Sequence, residues 1–213
     1  MSVKGLRHLR KLDKKSKEFK QLETQLDVAD ILLIRDNSKA NLFARGIRRI
    51  TKSYWNHTAF VFTNAKKYPL FSNVIIVEAL AGGIELHKIQ RYTSRPDKYD
   101  LGVKRMPGLN IADRRMVRGY MMQNVGVPYN YPQILKILIS FISGDYKEYF
   151  LKNNAFICSG FIQRAFYEAF NKDKQVLFKN ISGKNSAETL INYTTPKDVA
   201  VSDVTEWVYN KHC

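Results

Sequence analysis

Cys158 stands where a loop, Asn153-Asn154-Ala155, gives way to a helical stretch with an apolar face, and Ser159-Gly160 follow it. A thiol at a helix N-terminus lies beside free backbone N–H groups and the positive end of the helix dipole. Both favour the thiolate, which is the nucleophilic form. The small residues after it leave room for a substrate, and N–H groups at this point can hold an oxyanion. Ser159 is therefore a candidate on the substrate side. The competing reading is a free cysteine packed as a small hydrophobe.

A nucleophilic thiol needs a base, and the base needs a group that orients it. The chain has four histidines. His8 lies in a basic N-terminal stretch and His212 beside the last residue, both poor places for a fixed catalytic group. His87 sits next to Lys88 in an alternating, half-exposed strand. His57 opens a strand after Trp55 and shares a face with Ala59 and Val61, at the rim of a core. A structural histidine is the alternative there. Glu78 lies inside the apolar run Val74-Ile75-Ile76-Val77-Glu78-Ala79-Leu80. A carboxylate in such a run is costly unless it is paired, or exposed on an edge. If strands 73–80 and 57–62 pair antiparallel, Glu78 reaches the His57 ring. Cysteine, histidine and carboxylate together point to acyl transfer through a thioester.

The elements that must position these groups can be read from pattern. Ile31–Ile34, 55–62, 73–80, 84–89 and 100–106 have strand composition, with Gly82-Gly83 as a hairpin turn between the third and fourth. Residues 39–52, 113–125, 133–143, 158–170 and 182–191 read as helices, and Thr195-Pro196 with Asp198 and Ser202 caps a C-terminal segment. Strands come first and helices after, which predicts an α+β domain with an antiparallel sheet. Residues 3–25 predict a basic amphipathic helix with a thin stripe at Leu9, Leu12, Ser16, Phe19, Glu23 and Leu26. The expected organisation is a basic arm, residues 1–26, followed by one catalytic domain, residues 27–213.

The ordered set of motifs resembles a known family. Phe156-Ile157-Cys158-Ser159-Gly160-Phe161-Ile162-Gln163 is similar to the cysteine motif of NlpC-type papain-like hydrolases. In most of those the cysteine precedes the histidine, whereas here the order is His57, Glu78, Cys158. With Asp30-Ile31-Leu32-Leu33, Asn56-His57-Thr58-Ala59, Val77-Glu78-Ala79, Gly83-Ile84 and the turn Gly126-Val127-Pro128-Tyr129-Asn130-Tyr131, that order resembles the circularly permuted branch. The branch holds YiiX-like and YebB-like bacterial proteins, a poxvirus relative and, more distantly, the lecithin:retinol acyltransferase group. The resemblance spans about residues 27–203. Ile157 departs from the Asp that the non-permuted members place before the cysteine. The resemblance implies a permuted papain-like fold, Cys158 as nucleophile, His57 as base and Glu78 as orienting group. It also implies an oxyanion contact at the Cys158 backbone N–H, with Tyr129 or Tyr131 lining the pocket. The implied activity is that of a cysteine amidase or peptidase-like hydrolase that needs no cofactor or metal.

Composition bounds the rest. The chain has 213 residues, 12 Phe, 12 Tyr and 2 Trp, enough to build a packed core. Two cysteines, Cys158 and the terminal Cys213, exclude a disulfide scaffold and a Cys-rich zinc module. The formal charge is +16, of which residues 1–20 carry +6 from eight basic and two acidic residues. Arg45, Arg48, Arg49 and Lys52 form a second cluster, and Arg114, Arg115 and Arg118 a third. Such a field favours an anionic membrane surface or an acidic polymer. A lipid-directed acyltransferase or phospholipase is the first alternative, and a basic nucleic-acid-binding module with a packed Cys158 the second. No recognised nucleic-acid motif is present, and no specific nucleic acid is expected. Without a signal peptide or a long apolar segment, the expected location is cytoplasmic, with peripheral membrane contact compatible.

Overall fold

Four apolar residues in a row, Ile31 to Ile34, require a strand that is buried on both faces. In the computed structural model, which describes residues 3–64, 73–128, 158–170, 191 and 194–210, this run is β1 (Ile31–Asp36) and lies inside the sheet. It is flanked by β2 (His57–Thr63) and β5 (Tyr99–Arg105), both antiparallel to it. β3 (Ile75–Leu80) pairs with β2, β4 (Gly83–Lys88) with β3, and β6 (Glu206–Asn210) with β5. The result is a six-stranded antiparallel sheet in the order β4-β3-β2-β1-β5-β6. With helices packed on it, the chain is α+β, as the element order predicts.

Alternate residues of β1 feed two cores. Ile31 and Leu33 join Phe60, Val77 and Ala79 beneath α5 (Cys158–Ala169), whose Phe161, Ile162, Ala165 and Phe166 supply the facing surface. The Phe60 ring stands edge-on to Phe161 and Phe166. Leu32 and Ile34 join Ala59, Val61, Ile76, Leu101 and Val103 on the opposite face. That face is covered by Phe19 and Leu22 of α1 (Val3–Gln25) and by Leu26 just beyond it. Burying Phe19 and Leu22 contributes roughly 1.5–3 kcal/mol each.

The predicted N-terminal helix is present, but its inward stripe runs through Lys15, Phe19, Leu22 and Leu26. Lys15 is tolerated there because its ammonium meets Asp100 Oδ1 at 2.6 Å and stands over the Phe19 ring, 5.5 Å from its centre. Asp100 Oδ2 accepts from Asn37 Nδ2 at 2.8 Å and from Tyr54 Oη at 2.7 Å. Further along, Glu23 accepts from Thr93 Oγ1 at 2.5 Å and Gln90 Nε2 at 2.9 Å. These two residues begin and end the one-turn α3 (Gln90–Thr93). From Lys15 onward the helix thus shares the core of the sheet.

Local signals explain the remaining elements. α2 (Leu42–Thr51) starts at Asn41, whose side chain accepts from Ala44 N. α4 (Ile111–Asn124) begins two residues earlier than Asp113, because Asn110 is the N-cap and Asp113 closes the capping box. α6 (Pro196–Val201) has the same device in Thr195 and Asp198. At the β3–β4 hairpin, Gly83 has φ 129°, and a Cβ there would lie 2.7 Å from the Val127 carbonyl oxygen. Only glycine lets the Gly126-Val127 segment close on β4, where Ile84 N donates to Val127 O and Gly126 N to Ile84 O. β6 was not anticipated: a half-exposed five-residue segment has no clear period, and pairing with β5 makes it a strand. The predicted helices at 133–143 and 182–191 lie outside the described residues, apart from Ile191, which is helical. No helix among the described residues is long and apolar enough to cross a membrane.

Candidate active site

The site forms where the N-terminus of α5 crosses the start of β2. Pairing of β2 with β3 sets Phe60 opposite Val77. Carried back along the ladder, that register brings Glu78 level with Ala59 and onto the face of His57. His57 Nε2 is 2.7 Å from Glu78 Oε2. The Cys158 sulfur lies close enough to the ring for each to shift the other's proton affinity, and with Nε2 committed to Glu78 the nitrogen left for the thiol is Nδ1. Cysteine, imidazole and carboxylate therefore stand in line. Cys158 is 6% exposed and Glu78 0%.

The first turn of α5 is fixed from behind. Ser159 is fully buried, and its hydroxyl donates to the Thr194 carbonyl at 2.6 Å, which anchors the helix start and points away from the cavity beside Cys158. A Cβ at Gly160 would lie 2.8 Å from the Ile191 carbonyl oxygen, so glycine lets the Ile191 backbone approach this turn. Asn56 fixes the other side. Its Oδ1 accepts from Asp36 N at 2.8 Å and Arg48 Nη1 at 3.0 Å, which holds the residue before His57 against the end of β1. Asp30 sits at the other end of β1, in a two-point contact with Arg105. Tyr129 and Tyr131 lie outside the described residues.

The charges are matched along the line. Burial alone would lower the pKa of His57, but the charge of Cys158, its hydrogen bond and those of Glu78 raise it to about 10. Burial would push the Cys158 thiol up; the His57 charge and hydrogen bond, with the Thr58 backbone N–H, bring it below its ordinary value. The Glu78 carboxyl is likewise lowered against the effect of burial by His57, Tyr92 and Arg91. Both shifts favour the charged form of each partner, and the two groups titrate as a pair.

Four residues at the site were not singled out as candidates by the sequence reading. Tyr92 Oη donates to Glu78 Oε2 at 2.5 Å, and burial beside that carboxylate raises the phenol well above its ordinary range. Arg91 Nε lies 3.9 Å from Glu78 Oε1. Both come from α3, a single turn too short to leave a periodic signal. Thr58, directly after His57, presents its N–H to the sulfur. His87, set aside as a half-exposed strand residue, places Nδ1 3.1 Å from Glu78 Oε1. The hairpin turn falls at Ala81-Gly82 and not at the expected Gly82-Gly83, because Gly83 is already paired with Leu80; this register sets Glu78 opposite Glu85 and His87 one diagonal away.

Cys158 and His57 open onto a cavity of about 260 Å³. Phe43, Ala44 and Ile47 of α2 form one wall, and Leu80, Arg91 and Tyr92 another. A larger hollow of about 670 Å³ lies at the start of α4, lined by Asp27, Arg114, Arg115 and Arg118, and holds none of these groups. Among the described residues, no group of three or more His, Cys, Asp or Glu is arranged to hold a metal ion. No protein-family model matches the chain, and no curated protein is significantly similar to it in sequence.

Proposed function

We propose that the protein is a cysteine-dependent acyl hydrolase of the permuted papain-like, NlpC-type kind, acting on an amide or ester. The observation that carries this reading is the line Cys158–His57–Glu78 at the mouth of a cavity, with the thiol lowered and the imidazole raised. The order of these residues along the chain, and an α5 that lies across the sheet with Cys158 at its start, support the permuted branch.

The Cys158 thiolate adds to the acyl carbonyl carbon, and the carbonyl π electrons move to oxygen. Backbone N–H groups at the start of α5, that of Cys158 included, stabilise this oxyanion. As the tetrahedral adduct collapses, the bond to the leaving amine or alcohol breaks and His57 gives that group its Nδ1 proton. A thioester on Cys158 remains. Neutral His57 then takes a proton from water, the hydroxide adds to the thioester carbonyl, and collapse releases the acid and the thiolate. Glu78, held by Tyr92, keeps the ring oriented and balances its charge in both halves.

Acyl capture tests this directly. Incubation with a p-nitrophenyl ester should release nitrophenol and add one acyl group to the peptide containing Cys158, detected by mass spectrometry. Cys158→Ala should give neither, and full release by that variant would end the proposal.

A second reading, an ester-bearing lipid at an anionic membrane, is favoured by α2. One side of this helix lines the cavity, while Leu42 is 72% exposed and Arg45 and Arg49 face outward. No acidic residue occurs between Asp36 and Glu78. Salt-sensitive flotation with anionic vesicles, lost in Arg45→Glu/Arg49→Glu, supports that substrate source; equal binding by that variant argues against it.

A further inference from the structure

Glu78 and Glu85 are direct cross-strand partners in the β3–β4 hairpin. Carboxylates facing each other across a ladder repel, and Glu78 is fully buried. His87, two residues along β4 from Glu85 and on the same face, lies against both. Its Nδ1 is 3.1 Å from Glu78 Oε1 and its Nε2 3.3 Å from Glu85 Oε2. Glu78 Oε1 and His87 Nδ1 are each sealed from solvent and complete no hydrogen bond, although they face each other at 3.1 Å. The other cation near that oxygen, Arg91 Nε, is 3.9 Å away on a side chain 42% exposed. A buried carboxylate oxygen without a donor is costly, so the histidine nitrogen aimed at it is the group that can relieve the cost.

We infer that His87 is a positioning residue that donates Nδ1–H to Glu78 Oε1 and so keeps Glu78 ionised behind the His57–Cys158 pair. The inference rests on the reading of Cys158 as a thiolate nucleophile. It makes the site a series of five groups, Glu85, His87, Glu78, His57 and Cys158, in which each ring stands between two acidic groups. The His87 ring meets Glu78 from β3 and Glu85 from β4, and the Glu78 carboxylate in turn meets His57 from β2 and Arg91 and Tyr92 from α3. Without the ring, Glu78 Oε1 loses its donor and faces Glu85 directly, so the carboxyl takes up a proton at higher pH. His57 then has a weaker counter-charge and gives its proton back to Cys158, so the neutral thiol–imidazole pair displaces the ion pair and the thiolate forms only at higher pH.

The test is the rate of alkylation by iodoacetamide from about pH 4 to about pH 9, bracketing the ordinary carboxyl and thiol ranges. Mass spectrometry of the peptide that contains Cys158 keeps Cys213 out of the measurement. In His87→Ala the acid limb of the profile should move up by about one pH unit, a roughly tenfold slower reaction on that limb. His87→Gln, whose amide still offers an N–H to Oε1, should recover part of the shift. A merely structural role would lower the melting temperature and leave the limb in place. If the alanine variant does not fold, His87→Leu fills the space without a donor and carries the same expectation. Profiles that superimpose on the wild type overturn the role of His87 alone. A wild-type Cys158 that reacts only in the ordinary thiol range overturns the cysteine-hydrolase reading and this inference with it.

Discussion

Two polar clusters sit on this sheet, one half-buried and one buried, and they are built differently. The first joins Lys15, Asp100, Asn37 and Tyr54 and ties α1 to β5. Each Asp100 oxygen has its donors, and none of the four side chains keeps a buried polar atom without a partner. The second joins Cys158, His57, Glu78, Tyr92 and His87. It borders a cavity, holds three charged or chargeable groups in line, and keeps Glu78 Oε1, His87 Nδ1 and the neighbouring Thr58 Oγ1 without completed hydrogen bonds. Burial of charge is therefore no sign of chemistry by itself. A saturated cluster holds two elements together, while an incompletely satisfied one beside a cavity retains the capacity to rearrange its protons.

The comparison breaks if substitutions in either cluster have the effect expected of the other. Cys158→Ala and His57→Ala should each reduce ester turnover by about 10⁴-fold, roughly 5 kcal/mol of transition-state stabilisation, with the melting temperature little changed. Steady-state rates beside thermal melts would check both. Asp100→Ala strands a buried ammonium on Lys15. It should cost about 3 kcal/mol in urea unfolding while the Cys158 alkylation rate at neutral pH stays as in the wild type. A matching loss of reactivity would mean that the clusters are coupled.

Glu78→Gln keeps an acceptor for His57 and loses the charge. A fall in turnover of about 10–100-fold, smaller than that of His57→Ala, is expected. Acid should act on the saturated cluster first through Asp100, whose pKa is lowered from 3.8 to about 2 against the effect of burial by Lys15, Asn37 and Tyr54. A depressed carboxyl stabilises the fold above its unfolded value and loses that contribution as pH falls through the folded value. About 2 kcal/mol should disappear between pH 3.8 and about 2. Asp100→Asn should flatten that part of the stability curve. The smallest effect expected is that of Tyr92→Phe, a loss in turnover of about fivefold, near 1 kcal/mol for one hydrogen bond to a charged group that keeps its other partners.

Much of this architecture is legible in the residues. The apolar run of β1, the wide apolar face after Cys158 and the Thr195/Asp198 capping pair are local signals, and each produces its element; the glycine pair marks the β3–β4 hairpin, with its turn one residue earlier than Gly82-Gly83. The match of Glu78 to His57 was also within reach, since a carboxylate in an apolar strand demands a partner and antiparallel pairing supplies one. Other features depended on contacts distant in sequence. Lys15 reads as a surface residue until Asp100, on β5, is brought against it. The cluster Arg45, Arg48 and Arg49 reads as one patch, yet Arg48 turns inward to donate to the Asp36 carbonyl at 2.7 Å while its neighbours stay outside.

By itself, then, the sequence determined which residues are chemically equipped, through their types, and which local elements carry them, through period and capping. Tertiary structure decided what surrounds those residues. Ser159 became an anchor for α5 because Thr194 closes on it, and His87 became a neighbour of the site because the β3–β4 register sets it diagonal to Glu78. The physical reason is that propensity and pattern act over a few residues. The proton affinity of a buried group is set by charges and donors within a few ångströms, whatever their distance along the chain.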